Sequence, residues 1–149
     1  SNWAERGKAY QVELIKMVDE DTNAFNRIMD AFGLPKKTEE EKTARHQAIQ
    51  EATKFATEVP FKTMMLCYEC MEVVKAMAEI GNPNSVTDAG VGALAARSGV
   101  IGAFLNVKIN AAGLDDKEYA NDIISRGEKV VEMAKQMETD ILNIVNSKI

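Results

Sequence analysis

At 149 residues, 46% hydrophobic and 28% charged, the chain has the composition of one globular domain, not of a disordered, collagenous or linker-rich protein. Eighteen Lys and Arg against 23 Asp and Glu give a net charge of −5, without the basic excess of a nucleic-acid binder or a polybasic membrane patch. Two cysteines and no signal-peptide pattern over Ser1-Asn2-Trp3-Ala4-Glu5-Arg6 point to the cytoplasm, and no apolar run is expected to reach the roughly 18 residues of a spanning helix.

Strand signals are nearly absent, while Ala, Met, Glu and Lys favour helix. A first helix is expected from about Trp3 to Phe32, stopped by Gly33-Leu34-Pro35. Thr38, with Glu41 three residues on, has the pattern of a capping box, and Glu39, Glu40 and Glu41 suit the positive end of the helix dipole. That second helix is expected to reach Glu58, with Val59-Pro60 as a boundary or kink. A third runs from Phe61 to Ile80 and ends at Gly81. Ser85 with Asp88 reads as the cap of a fourth, to Ala112, closed by Gly113. Asp115 with Glu118 opens a fifth, to Asn146. Five long helices with short connections predict an all-α, up-and-down bundle in a single domain, 1–149.

Two of these helices carry residues that a simple bundle does not need. On a helical wheel of the first, Tyr10, Leu14, Met17, Val18, Ala24, Phe25, Ile28 and Phe32 form one apolar stripe. Asp21 sits at its centre, whereas Asp19 and Asp30 point away. A carboxylate on a buried face is costly unless paired or protonated, and burial favours the protonated form. Such a group is a general acid or base in waiting. A structural ion pair or a cap on a neighbouring helix accounts for it equally well.

On the fourth helix, Asp88, Gly92, Ala95, Gly99, Gly102 and Asn106 fall within about 40° either side of one direction, with Asn110 at the edge. Leu94, Val100, Ile101, Phe104 and Leu105 cover the other sides, so the helix is expected to be central or at an interface. Each interior glycine costs up to about 1 kcal/mol relative to Ala. Close helix packing offsets that cost, and so does room for a flat ligand; packing is the commoner cause for the glycines alone. Two asparagines four apart on a covered side also require hydrogen-bond partners.

Other features carry less. Cys67-Tyr68-Glu69-Cys70 lies inside a helical pattern, without a second pair or zinc-spaced histidines, and reads as two packed thiols. His46 is the only histidine and is expected to be exposed, which disfavours a multi-histidine metal site and a Ser-His-Asp triad. There is no phosphate-binding glycine loop.

The run Val18-Asp19-Glu20-Asp21-Thr22-Asn23-Ala24-Phe25-Asn26 resembles the signature of the cyclodeaminase/cyclohydrolase family, whose domain also forms the C-terminal half of bifunctional formimidoyltransferase-cyclodeaminase. Further matches follow in order at Leu34-Pro35-Lys36 with Thr38 to Lys42, at Ala56 to Pro60, at Gly81-Asn82-Pro83-Asn84 with Thr87-Asp88, and at Asn106-Val107-Lys108-Ile109-Asn110. Through Asp19 to Asn26 the chain looks closer to the formimidoyltransferase-linked branch than to the shorter cyclohydrolases. The family domain begins with an additional helical region bearing a Pro-Thr-Pro-Gly-Gly-Gly-Ser type motif, which nothing here matches. The resemblance thus implies a helical domain lacking its leading segment, with a pocket open on one side.

The resemblance implies a homodimer, a folate substrate, and a formimidoyltransferase, fused or separate, as a further partner. It places the catalytic aspartate at Asp21 and substrate-binding positions at Asp88, Asn106, Asn110 and Asn82. The implied reaction converts 5-formimidoyltetrahydrofolate to 5,10-methenyltetrahydrofolate and ammonia, in histidine degradation and one-carbon metabolism. N10 attacks the amidine carbon, so both reacting centres lie on one molecule and no metal or redox cofactor is expected. Two alternatives stand beside it: methenyltetrahydrofolate cyclohydrolase, with water attacking, and a helical dimerisation module without chemistry.

Overall fold

The computed structural model describes residues 2–149, in four long helices joined by short turns. They are α1 (Asn2–Phe32), α2 (Glu39–Ile80), α3 (Val86–Ala112) and α4 (Lys117–Asn146), with one 3-10 turn at Pro83–Ser85. The bundle is all-α as expected, but has four helices rather than five. The two segments expected on either side of Val59-Pro60 are a single helix of 42 residues. Proline removes one helical donor, and the carbonyl that loses it, on Ala56, is met by the Asn110 side chain from α3 at 2.7 Å. The missing bond is therefore replaced from outside the helix, and α2 continues.

The ends of α2 follow local chemistry. Thr38 Oγ1 accepts from the Glu41 N–H at 3.1 Å, and the Glu41 carboxylate accepts from the Thr38 N–H at 3.2 Å, a complete capping box. The next two caps differ from expectation. Ser85 makes no side-chain cap bond; the chain enters α3 through the 3-10 turn, where Asn82 Oδ1 accepts from the Asn84 N–H. At α4 the cap is Asp116, not Asp115. Asp115 is engaged elsewhere: its N–H donates to Gln50 Oε1 at 2.8 Å and its carboxylate pairs with exposed His46 at 2.5 Å.

Cross-helix contacts fix the directions. Arg6 pairs with Glu72 and Glu20 with Lys62, so α1 and α2 are antiparallel. Gly92 lies against Val74, Gly99 against Cys67 and Asn110 against Ala56, so α3 also runs antiparallel to α2. Arg97 pairs with Glu138, and the Phe104 ring occupies the place a side chain at Gly127 would need, setting α4 antiparallel to α3. Tyr119 reaches Glu58, and Lys148 reaches the Ala78 carbonyl, so α4 runs parallel to α2. The chain goes up and down, as expected. The main core lies among α2, α3 and α4 around Met64, Met71, Val100, Val107, Ile123 and Ile141. A smaller cluster of Met17, Ala24, Ala56 and Val59 ties α1 to α2.

One expectation about apolar runs is corrected. Pro83–Ala112 is long and apolar enough to cross a membrane by length and composition, with a mean hydropathy of 1.4 in its best window. It packs on α2 and α4 on different sides, which accounts for its buried apolar positions, while Val91, Leu94, Leu105 and Ile109 remain exposed. Arg97 on this helix is paired with Glu138 at 3.4 Å, and both interacting atoms are shielded from solvent.

The apolar stripe of α1 is only half covered. Met17 and Ala24 are buried against α2, with Leu14 and Ile28 partly so. Val18 and Phe25 remain more than 60% exposed, and Phe32 half exposed, beside Ile15 and Met29. On α3, Leu105 and Ile109 are likewise exposed.

Candidate functional site

Both α1 and α3 lie on α2 and make little contact with each other. Where they diverge, a groove of about 470 Å³ opens with α2 as its floor. Leu14, Met17, Val18, Asp21 and Thr22 form one wall. Pro60 and Thr63 form the floor, and Gly99, Gly102, Ala103 and Asn106 form the other wall. Register explains why these residues meet. Glu20 is level with Lys62, and Asn110 is level with Ala56, so Asp21 and Asn106 both arrive beside Pro60.

Among the described residues, Asp21 is the only carboxylate lining this groove. Its angular position on α1 is the one expected, between buried Met17 and exposed Val18 and Phe25. The expected burial is not found: Asp21 is exposed in this chain, because nothing covers the far half of the stripe. No hydrogen bond or ion pair engages its carboxylate, so it faces the groove with its full accepting capacity. The ion-pair and helix-cap explanations for Asp21 therefore find no partner among the described residues. Across the groove, the Asn106 amide makes one long contact, to the Gly102 carbonyl at 3.5 Å. Thr22 Oγ1 donates back to the Val18 carbonyl, and Thr63 Oγ1 to the Val59 carbonyl. Those hydroxyl oxygens keep their acceptor capacity.

The small-residue face of α3 divides by position. A side chain at Gly99 would press on Cys67 Sγ at 2.8 Å, and one at Gly92 would touch Val74. Those two glycines serve close packing on α2. Gly102 has nothing within 4 Å of where its Cβ would be. Packing within the chain does not explain it, and its vacancy widens the groove.

The other expected site residues are not in this groove. Asp88 and Asn82 line a separate hollow of about 410 Å³ with Val73, Val74, Met77 and Gly92. Eighteen residues separate Asp88 from Asn106 on one helix, a rise of roughly 27 Å. The wheel placed them on one face correctly, but they are at opposite ends of it. Asn82 also spends its carbonyl on the turn before α3. Asn110 is half-buried and donates one amide N–H to the Ala56 carbonyl. The structure therefore joins Asp21 to Asn106 and separates both from Asp88 and Asn82. Thr22, Pro60 and Thr63 were not singled out as site residues in the sequence, and Gly102 only as one of a face of small residues. Only helix register, which is a long-range property, brings them to one place.

A third hollow of about 370 Å³ lies between α1 and α2 at Arg27, Asp30, Glu51 and Phe55. There the Arg27 guanidinium stacks on the Phe55 ring at 4.1 Å, and Asp30 and Glu51 line the same hollow.

The two thiols are packed, as expected. Cys67 is buried, and Cys70 Sγ contacts the Cys67 carbonyl at 3.1 Å. Burial pushes the Cys67 thiol up, and burial with the Cys67 charge pushes Cys70 up to about 11. Both stay protonated near neutrality, the opposite of a reactive redox pair. Among the described residues, no three His, Cys, Asp or Glu side chains converge as a metal-holding group.

Known proteins resemble this chain in sequence and fold. The family model described as Formiminotransferase-cyclodeaminase matches residues 1–129. A methenyltetrahydrofolate cyclohydrolase from Methylorubrum extorquens is 40% identical over 145 residues, covering 97% of this chain and 70% of that protein. A formimidoyltransferase-cyclodeaminase from Gallus gallus is 33% identical over 136 residues, covering 91% of this chain but 25% of that protein. The expected closeness to the formimidoyltransferase-linked branch is not reflected in these identities, which favour the cyclohydrolase. The crystal structure of a formiminotetrahydrofolate cyclodeaminase from Thermotoga maritima superposes with a TM-score of 0.81 at 19% identity, over 94% of this chain and 66% of that one. At that identity the likeness concerns the fold.

Proposed function

Because the chain belongs to the formiminotransferase-cyclodeaminase family, we propose that it serves an enzyme acting on tetrahydrofolate derivatives at the carbon bridging N5 and N10. The observation that carries this reading is the groove in which an unpartnered carboxylate, Asp21, faces the Asn106 amide across a gap left open by Gly102.

The leading assignment is methenyltetrahydrofolate cyclohydrolase, supported by the 40% identity to a protein of that name over nearly the whole chain. Asp21 would accept a proton from water as its oxygen bonds to the bridging carbon. The same carboxyl would return a proton to N5 as the C–N5 bond breaks, and the hydroxyl on the former bridging carbon would lose its proton to solvent, leaving a formyl group on N10. The second assignment is formimidoyltetrahydrofolate cyclodeaminase, supported by the family description and the vertebrate relatives. Here N10 attacks the amidine carbon, Asp21 takes the N10 proton, and ammonia leaves after receiving one. Both routes pass through a tetrahedral carbon joined to N5 and N10. Both need one positioned proton carrier and a held conformer, and neither calls for a metal or redox cofactor. Asn106, with donor and acceptor on one amide, suits the polar edge of a pterin.

Offering both substrates and following the absorbance of 5,10-methenyltetrahydrofolate separates the assignments. Cyclohydrolase consumes that absorbance; cyclodeaminase generates it from the formimidoyl compound with release of ammonia. Absence of both reactions, together with no heat on titrating tetrahydrofolate, would leave the dimerisation module as the surviving reading.

A homodimer is part of this proposal. Val18, Phe25, Met29 and Phe32 on α1 and Leu105 and Ile109 on α3 are exposed, and Val18 itself lines the groove. A second copy there would bury apolar surface worth roughly 25 cal/mol per Å². Light scattering is expected to give twice the chain mass, and Phe25→Asp should return it to the single-chain mass. A monomer at all concentrations contradicts it.

A further inference from the structure

We propose that Asn110 is a positioning residue that latches α3 to α2 at Pro60, holding the groove floor in place, rather than a residue that binds substrate. Proline at position 60 has no N–H, so the Ala56 carbonyl lacks the donor that every ordinary helical carbonyl finds four residues on. Ala56 and Pro60 are both buried, and water does not replace that donor freely. Asn110 Nδ2, 54 residues away in sequence, donates to this carbonyl at 2.7 Å, a short and well-formed bond. Pro60 also disposes the helix to bend, and threonines surround it. Thr57 Oγ1 donates to the Thr53 carbonyl at 2.8 Å and Thr63 Oγ1 to the Val59 carbonyl at 3.2 Å, bonds that favour local bending.

The location gives the latch its function. Pro60 and Thr63 are the floor of the Asp21 groove, and Asn106, one turn before Asn110, is in its wall. The bond pins the α3 wall to the α2 floor beside Pro60, adding to the close packing of Gly99 on Cys67. With one N–H committed to the backbone, the Asn110 side chain is held in a fixed orientation, which suits a positioning group.

The test is a double-mutant cycle on the full chain with Asn110→Ala and Pro60→Ala. Alanine at position 60 restores the N–H, so the carbonyl no longer depends on Asn110. In the parent, Asn110→Ala is expected to lower the melting temperature by about 5 °C. In the Pro60→Ala background the drop should be less than half as large. Equal drops in both backgrounds overturn the latch. If Asn110→Ala does not fold alone, recovery of folded protein with Pro60→Ala supports it, and failure in both backgrounds opposes it. The activity arm rests on the folate reading above. Each Asn110→Ala protein is compared with its own parent, and kcat/KM should fall about tenfold with Pro60 but recover most of that loss with Ala at 60. An equal loss in both backgrounds identifies Asn110 as a substrate ligand. The thermal cycle involves no substrate, so its failure counts against the latch and leaves the folate reading untouched.

Discussion

An Asp21→Asn protein is expected to fold as its parent does and to lose turnover on tetrahydrofolate substrates by about 10²–10⁴-fold, the usual worth of a positioned proton carrier. The two halves of that expectation have separate causes. Asp21 is exposed and has no partner in the chain, so its replacement breaks no bond and should change stability by less than about 0.5 kcal/mol. Asparagine keeps the shape and the hydrogen-bonding carbonyl but does not accept a proton at neutral pH. KM should therefore move little while kcat falls. Melting curves and steady-state kinetics on the same preparation check both halves. A full rate in Asp21→Asn removes Asp21 from the chemistry, and a large loss of stability would mean that the residue is structural.

Substitution at Gly102 is expected to separate stability from function in the other direction. Nothing lies within 4 Å of the position of a Cβ there, and the residue is in the middle of α3. Gly102→Ala should therefore stabilise the helix by up to about 1 kcal/mol, raising the melting temperature by about 2–4 °C. Gly102→Leu should still fold, but its side chain projects into the space between Asp21 and Asn106. Substrate affinity is expected to fall at least about tenfold, equivalent to some 1.4 kcal/mol. An unchanged KM in Gly102→Leu would show that substrate does not use this space. If the same variant instead weakens self-association, the vacancy belongs to a second copy. Gly99→Ala is the natural contrast, because there the new methyl meets Cys67 and stability should drop.

What the sequence made legible was mostly local. The Thr38–Glu41 capping box reads directly because both partners lie within one turn. The end of α1 at Phe32 and the end of α3 before Gly113 were legible for the same reason. Pro60 reads locally as a boundary or kink, and the continuous helix is not legible because its compensation comes from Asn110 on another helix. Asp115 was mistaken for the cap of α4 because Gln50 and His46, far away in sequence, claim it and leave Asp116 to cap. For the site, the wheel gave the angle of Asp21 but not its exposure, since a stripe is buried only as far as neighbouring helices reach. It also grouped Asp88 with Asn106, because a wheel records angle and discards distance along the axis.

The central claim is that the groove of Asp21, Gly102 and Asn106, rather than the hollow of Asn82 and Asp88, holds the folate. Backbone amide shifts of the labelled chain during titration with tetrahydrofolate measure this directly. Saturable shifts are expected at Thr22, Thr63, Gly102, Ala103 and Asn106, with residues 82–89 unmoved. Shifts confined to Asn82, Ser85, Asp88 and Ala89, with Gly102 and Asn106 silent, would contradict it.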